Sequence, residues 1–119
     1  MFIATVILAV ILAVAFLTAG VSKLIDHPTM QEAQVHLGIA PGLFKAVGAL
    51  EVLGAVGVLL GLLSPLPLIG MLAGLGLIGM TVGAAFYHQK AGDSMKDWFP
   101  AVVMGSVAIL YIILRIASS

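Results

Sequence analysis

The sequence predicts an all-α integral membrane protein, an up-and-down four-helix bundle with a short interfacial helix in the first loop. Of its 119 residues, 62% are hydrophobic and 8% are charged, whereas about a quarter of the residues in an ordinary soluble protein are charged. Four apolar segments reach or approach the ~20 residues that a helix needs to cross a bilayer. The length allows one domain, which we expect to extend over residues 1–119.

The first predicted span covers about residues 1–22 and contains no charged residue before Lys23. Its start lacks the basic residues that open a secretory signal peptide, so we expect the segment to be retained. The loop that follows contains Pro28–Leu37, which predicts a short helix lying at the membrane interface. Proline suits the first turn of that helix and Gly38 suits its end.

Three further spans complete the predicted bundle. The second covers about residues 43–63 and ends at Ser64–Pro67, because proline cannot continue a helix and disfavours one just before it. The third covers about residues 66–87. The fourth covers about residues 98–115, and its ~17 residues are at the lower limit for a membrane span.

The distribution of basic residues predicts an orientation. Four lysines lie at the end of the bundle that holds the two longer loops, and one arginine lies at the other end: Lys23, Lys45, Lys90 and Lys96 against Arg115. Because basic residues favour the cytoplasmic side, we expect a multi-pass protein of the cell membrane with cytoplasmic loops and both termini outside.

Composition excludes several classes of function. Zero formal net charge and five scattered basic residues give no surface for nucleic acid. The absence of cysteine excludes a disulfide, a thiolate metal site and a CxxC redox pair, so we expect no cofactor held by the chain itself. The histidines and Glu32 match no metal-ligand spacing, and no metal site is predicted. Trp98, Tyr87 and Tyr111 fit an aromatic belt at the membrane interfaces.

Glu51 is the single charged residue between Ala46 and Tyr87. An ionised carboxylate at bilayer depth costs roughly 2.5–3.5 kcal/mol on insertion scales, and such residues usually mark functional sites. A purely structural glutamate, satisfied by a neighbouring helix, is the alternative. On a helical wheel Gly48 shares the face of Glu51 and leaves room for a ligand or a second helix, whereas Lys45 lies about 120° away.

The partner of Glu51 is therefore expected on another span. Lys23 at the end of the first span and His88 at the end of the third are the candidates. The eight residues predicted to line a polar pocket at the loop end are Thr18, Ser22, Lys23, Gly48, Glu51, Thr81, Ala84 and His88. Apolar walls with few charges suit a lipophilic small molecule.

Three stretches resemble the DoxX-like family of membrane proteins: Leu17–Leu24, Lys45–Gly54 and Gly83–His88. The resemblance covers nearly the whole chain, including its size, four spans and loop pattern, and it implies a four-helix bundle. It places Lys23, Glu51 and His88 at the recurring polar positions of the family. The family is named after a component linked to a quinol oxidase, which implies quinone as a ligand and an oxidoreductase as a partner.

Three functions remain open at this point. The first is an enzyme of isomerase or cyclase type, with Glu51 as acid or base, His88 as a second proton-transfer group and Lys23 as electrostatic stabiliser. The second is an accessory subunit of a quinone-linked membrane oxidoreductase, whose partner supplies the redox centre. The third is a small proton-coupled exporter. The polar residues of this chain gather at one end of the bundle, and this counts against an exporter.

Glycine pairs spaced four apart offer contacts for the bundle or for a second copy of the chain. They are Gly57 with Gly61, Gly70 with Gly74, and Gly79 with Gly83. Such pairs let helix backbones approach closely in a membrane. The expected partners are thus the lipid bilayer, a lipophilic small molecule, and either a second copy or a redox subunit.

Overall fold

The computed structural model of the protein describes residues 2–63 and 67–117. Within these ranges the chain forms five helices and no strand: α1 Phe2–Leu24, α2 Pro28–Leu37, α3 Pro41–Leu60, α4 Pro67–Lys90 and α5 Met95–Ala117. Helices α1, α3, α4 and α5 are long and apolar enough to cross a membrane. The predicted all-α fold is confirmed. The turn predicted at Ser64–Pro67 lies outside the described residues, apart from Pro67 at the start of α4.

The short helix predicted in the first loop is present as α2. The His27 ring accepts a hydrogen bond from the Thr29 backbone N–H at 3.3 Å, so a side chain caps its first turn. Gly38 ends the helix in the left-handed conformation, with φ of 69°. A glycine reaches this conformation without the strain that a side chain would bring.

Helices α4 and α5 are longer than the spans predicted from hydropathy. Helix α4 continues to Lys90 and is followed by Gly92 with φ of 80°. Helix α5 begins at Met95, where the Asp97 N–H donates to the Ser94 backbone carbonyl at 2.9 Å. The Ser94 N–H in turn donates to the Asp97 carboxylate at 3.1 Å. Hydropathy does not report such polar caps.

The four long helices form a closed ring in which neighbours in sequence are neighbours in space. Helix α1 packs on α3 and α5, and α4 packs on α3 and α5. The core between them is made of small and medium-sized apolar side chains with two aromatic rings: Ala9, Leu12, Ala13, Phe16, Ala55, Val58, Leu77, Ala108 and Tyr111. Helix α2 contributes none of these residues and lies across one end of the ring.

Two of the three glycine pairs are used inside the bundle. A Cβ added at Gly61 would lie 2.7 Å from the Gly70 nitrogen, so α3 and α4 touch backbone to backbone there. A Cβ at Gly74 would lie 2.9 Å from Ile112 of α5. In contrast, a Cβ at Gly79 or Gly83 would meet no atom within 4 Å.

Side chains of α5 cap the carboxyl end of α3. The Tyr111 hydroxyl donates to the Val58 carbonyl at 2.9 Å, and Arg115 Nε donates to the Gly61 carbonyl at 2.7 Å. The last carbonyls of a helix have no partner within it, so these bonds satisfy groups that lipid cannot. Tyr111 is 0% exposed. Its predicted place in an interfacial aromatic belt is therefore wrong.

Candidate functional site

The predicted contact of Glu51 with a polar group from another span is confirmed by an ion pair with Lys23. Lys23 Nζ donates a hydrogen bond to Glu51 Oε1 at 2.6 Å, between the last turn of α1 and the middle of α3. Glycines allow this approach: a Cβ at Gly20 would lie 2.6 Å from the Gly48 carbonyl, and one at Gly48 would lie 2.8 Å from Lys23 Cβ. Close helix packing thus aligns the lysine with the acid.

Both members of the ion pair are removed from the surface of the bundle. Glu51 is 6% exposed and the Lys23 side chain is 13% exposed. The Lys23 ammonium also lies 5.2 Å from the centre of the Phe44 ring, within the range of a cation–π interaction. Burying two charges costs several kcal/mol per ion, and apolar side chains of similar volume often stabilise a protein equally well. Stability alone therefore does not explain the pair.

A small cavity of about 30 Å³ lies above the ion pair at the loop end. Its lining comes from the ends of α1 and α3 and from one face of α2: Lys23, Asp26, Met30, Gln31, Gln34, Pro41, Phe44 and Lys45. Lys45 Nζ and Asp26 Oδ2 form a second, exposed ion pair at 2.9 Å on its rim. The volume holds one or two water molecules. Lys23 both lines this cavity and bonds Glu51.

His88 lies in a second polar cluster that links three parts of the chain. Its Nδ1 is hydrogen-bonded to Asp93 Oδ2 at 2.6 Å, and His36 Nε2 of α2 is hydrogen-bonded to Asp93 Oδ1 at 2.6 Å. Hydrogen bonds from His88 first, and then from His36, lower the pKa of Asp93 below its usual 3.8. Asp93 is thus held as an anion between two rings.

The predicted hydroxyl groups bond within their own helices. Thr18, Ser22 and Thr81 each donate to a backbone carbonyl three or four residues earlier, at 2.7 Å. Thr18 is exposed and Thr81 is buried between α4 and α5, where it faces Gly105. Ala84 is half-buried on α4. Lys23 is the residue of the predicted set that lines the cavity.

Sequence reasoning missed Asp93 and His36 as parts of the second cluster, and it missed the contact of the Lys23 ammonium with the Phe44 ring. The Gly92–Asp93 pair after α4 offered a signal, since a residue that follows a left-handed glycine folds back over the end of the helix. The Asp93 N–H does donate to the His88 carbonyl at 3.0 Å. No spacing in the sequence indicates that His36 meets the same carboxylate.

The described residues, 2–63 and 67–117, do not form a metal site. No group of three or more His, Cys, Asp or Glu side chains is arranged there to hold a metal ion. A separate, apolar groove of about 340 Å³ lies between α3 and α4 and offers no titratable group: its lining is Leu50, Leu53, Gly54, Leu72, Ala73, Gly76 and Met80. The Lys23–Glu51 pair is therefore the buried charged site that the loop end presents.

Comparison with known proteins identifies the family of the chain. The sequence model of the DoxX-like family matches residues 7–111, which include α1 from its second turn, the Lys23–Glu51 pair and the Asp93 cluster. The chain belongs to the DoxX-like family. No curated protein and no solved structure matches it. Membership together with four apolar helices identifies a multi-pass membrane protein in contact with the lipid bilayer.

Proposed function

We propose that this DoxX-like protein binds a small lipophilic molecule through a polar head group at the Lys23–Glu51 pair. The supporting observation is the pair itself, buried with a 2.6 Å contact directly beneath a cavity at the loop end. Lys23 lines the cavity and carries a charged donor, and its partner Glu51 carries an acceptor. A ligand carbonyl or hydroxyl, such as that of a quinone, suits these two groups.

In this proposal Glu51 also exchanges a proton with the ligand. The carboxylate removes a proton from one atom of the ligand and returns it to another, so the ligand rearranges with its composition unchanged. Lys23 stabilises the negative charge that develops in between. Chemistry of this isomerase or cyclase type needs no redox group and no co-reactant. The His88 ring is hydrogen-bonded to Asp93, which also bonds His36, so we assign proton transfer to Glu51 alone.

Heavy water provides a test that does not require the ligand to be known. Membranes containing the protein are incubated in heavy water with a total lipid extract, and all lipophilic molecules are compared by mass spectrometry. We expect the wild type to place deuterium on carbon in one class of molecule. Glu51→Gln should not, since an amide cannot cycle a proton at neutral pH. Lys96→Gln, at an exposed position of α5, is the matched control.

The outcomes separate the three functions. Incorporation that is equal in the wild type and in Glu51→Gln would refute proton transfer by Glu51. If no molecule gains deuterium, but one co-purifies with the wild type and not with Lys23→Met, binding without turnover stands. That result would favour the accessory subunit of a quinone-linked oxidoreductase. If acidification drives efflux of a small molecule from membrane vesicles, and Glu51→Gln abolishes this efflux, the result would favour the exporter.

We propose that the site lies at the cytoplasmic side, because four lysines gather at the loop end. Single cysteines at Glu32 in α2 and at Ala117 at the end of α5 are both exposed and should react from opposite sides of the membrane. The chain has no native cysteine to interfere. Reaction at position 32 with an impermeant reagent applied outside intact cells would reverse the assignment.

A further inference from the structure

Helix α2 is held to the bundle more weakly than the other helices. None of its residues is buried. A left-handed residue stands at each side of it, Asp26 with φ of 57° and Gly38 with φ of 69°. Such positions absorb changes of chain direction at the ends of a rigid element. The helix is therefore a compact unit between two turns, with few contacts to resist its displacement.

The same helix covers the cavity above the ion pair. Met30, Gln31 and Gln34 of α2 face Lys23 and Phe44 across it. At about 30 Å³ the cavity is roughly one tenth of the smallest volumes, about 300 Å³, that drug-sized ligands occupy. Any lipophilic molecule that reaches Lys23 from this end must therefore displace α2.

We propose that α2 is a lid over the Lys23–Glu51 site and that Asp93 is the latch that holds the lid closed. The inference rests on the proposed function for its ligand, whereas the movement of the lid can be measured without any ligand.

The hydrogen bonds of Asp93 suit a latch. On the bundle side Asp93 is fixed to His88 twice, through its backbone N–H to the carbonyl at 3.0 Å and through Oδ2 to the ring at 2.6 Å. On the lid side Oδ1 meets His36 Nε2 at 2.6 Å. Gln34 and Thr29 of α2 bond only to the adjoining turns, at Ile39 and His27. Among residues 2–63 and 67–117, the His36–Asp93 bond is thus the side-chain hydrogen bond that ties α2 to a part of the bundle distant in sequence. The His36 ring is 57% exposed, so the bond can open without unpacking the core.

Thiol labelling measures the opening of the lid. A single cysteine replaces Met30, on the cavity face of α2, and its reaction with a soluble maleimide is timed at neutral pH in detergent-purified protein. We expect His36→Gln or Asp93→Asn to speed this reaction about three- to tenfold, the effect of losing one hydrogen bond of ordinary net strength at an exposed position. His88→Gln should give a smaller increase, because it only positions Asp93. A cysteine that replaces the exposed Glu32 should react at the same rate whether or not the His36, Asp93 or His88 substitution is present.

A carboxylate in the first turn of α5 supplies the matched control. Asp97→Asn removes the same charge, but the Asp97 carboxylate is hydrogen-bonded to Ser94 at the start of α5, so labelling at position 30 should not change. Hydrogen exchange of the α2 amides in cysteine-free His36→Gln gives a second reading should the Met30 variant fail to fold. Equal rates in wild type and in the His36 and Asp93 variants, by either method, would refute the latch. They would leave ligand binding at Lys23–Glu51 untouched.

Discussion

Lys23 and Glu51, 28 residues apart in the sequence, join the end of α1 to the middle of α3 through a hydrogen bond of 2.6 Å. Each charge is tolerated because the other is present. Variants that remove one charge or both charges therefore separate the effect of the pair on stability from its role in ligand binding.

Lys23→Met should destabilise the protein, because it leaves the Glu51 carboxylate buried without its cation. Loss of one partner of a fully buried pair costs about 3–5 kcal/mol, and the 13% exposure of the Lys23 side chain reduces our expectation to about 2–3 kcal/mol. The measurement is the thermal midpoint of the detergent-purified variant. Lys96→Met, an exposed lysine, is the control and should match the wild type. An unchanged midpoint for Lys23→Met would show that the pair contributes nothing to folding.

Tyr111→Phe should destabilise the protein by about 1–2 kcal/mol. The substitution keeps the buried ring and removes the hydroxyl that satisfies the Val58 carbonyl near the end of α3, where no water replaces it. Tyr87→Phe, at a half-buried position on α4, is the matched control. Equal thermal midpoints for the two variants would contradict the capping role of Tyr111.

The glycine contacts predict opposite outcomes for two Gly→Ala substitutions. Gly61→Ala should be strongly destabilising, since the new Cβ would meet the Gly70 backbone of α4, which cannot move aside as a side chain can. Gly79→Ala should be neutral or stabilising, because nothing lies within 4 Å and alanine favours the helix. Thermal midpoints of the two variants give the comparison. A destabilised Gly79→Ala would point to a partner on that face of α4.

Hydropathy and helix-end chemistry were sufficient to predict the helices, because each apolar segment is bounded by proline, glycine or charge. They also predicted α2 from Pro28 to Leu37. The depth of Glu51 predicted a partner, and Lys23 is that partner. The contacts of His36 and Tyr111 were beyond prediction, since they depend on which helices adjoin and how their ends are offset. Hydropathy assigns Tyr111 to an interface, and packing against α3 places it in the core.

Acid should loosen α2. The pKa of Asp93 is lowered in the folded protein, so its bonds to His88 and His36 contribute stability above the unfolded value of 3.8. That contribution is lost as pH falls through the lower, folded value. Hydrogen exchange of the α2 amides, corrected for intrinsic rates, should rise as the pH is lowered from the unfolded value of 3.8 through the lower, folded value of Asp93. Asp93→Asn should show fast exchange throughout this range. A wild type with no such rise would contradict the role of Asp93.

The double variant Lys23→Met with Glu51→Leu tests the central claim most directly. Because apolar side chains of similar volume replace both charges, its thermal midpoint should equal or exceed that of the wild type. Lipophilic molecules that co-purify with each protein are extracted with organic solvent and quantified by mass spectrometry.

The account predicts at least about a tenfold loss of one such molecule from the stable double variant, since its head group no longer meets the charged pair. Lys96→Met combined with Glu32→Gln, both exposed, keeps the net charge and should retain the molecule. A double variant that is folded and carries the same molecules in the same amounts as the wild type would contradict binding at Lys23 and Glu51.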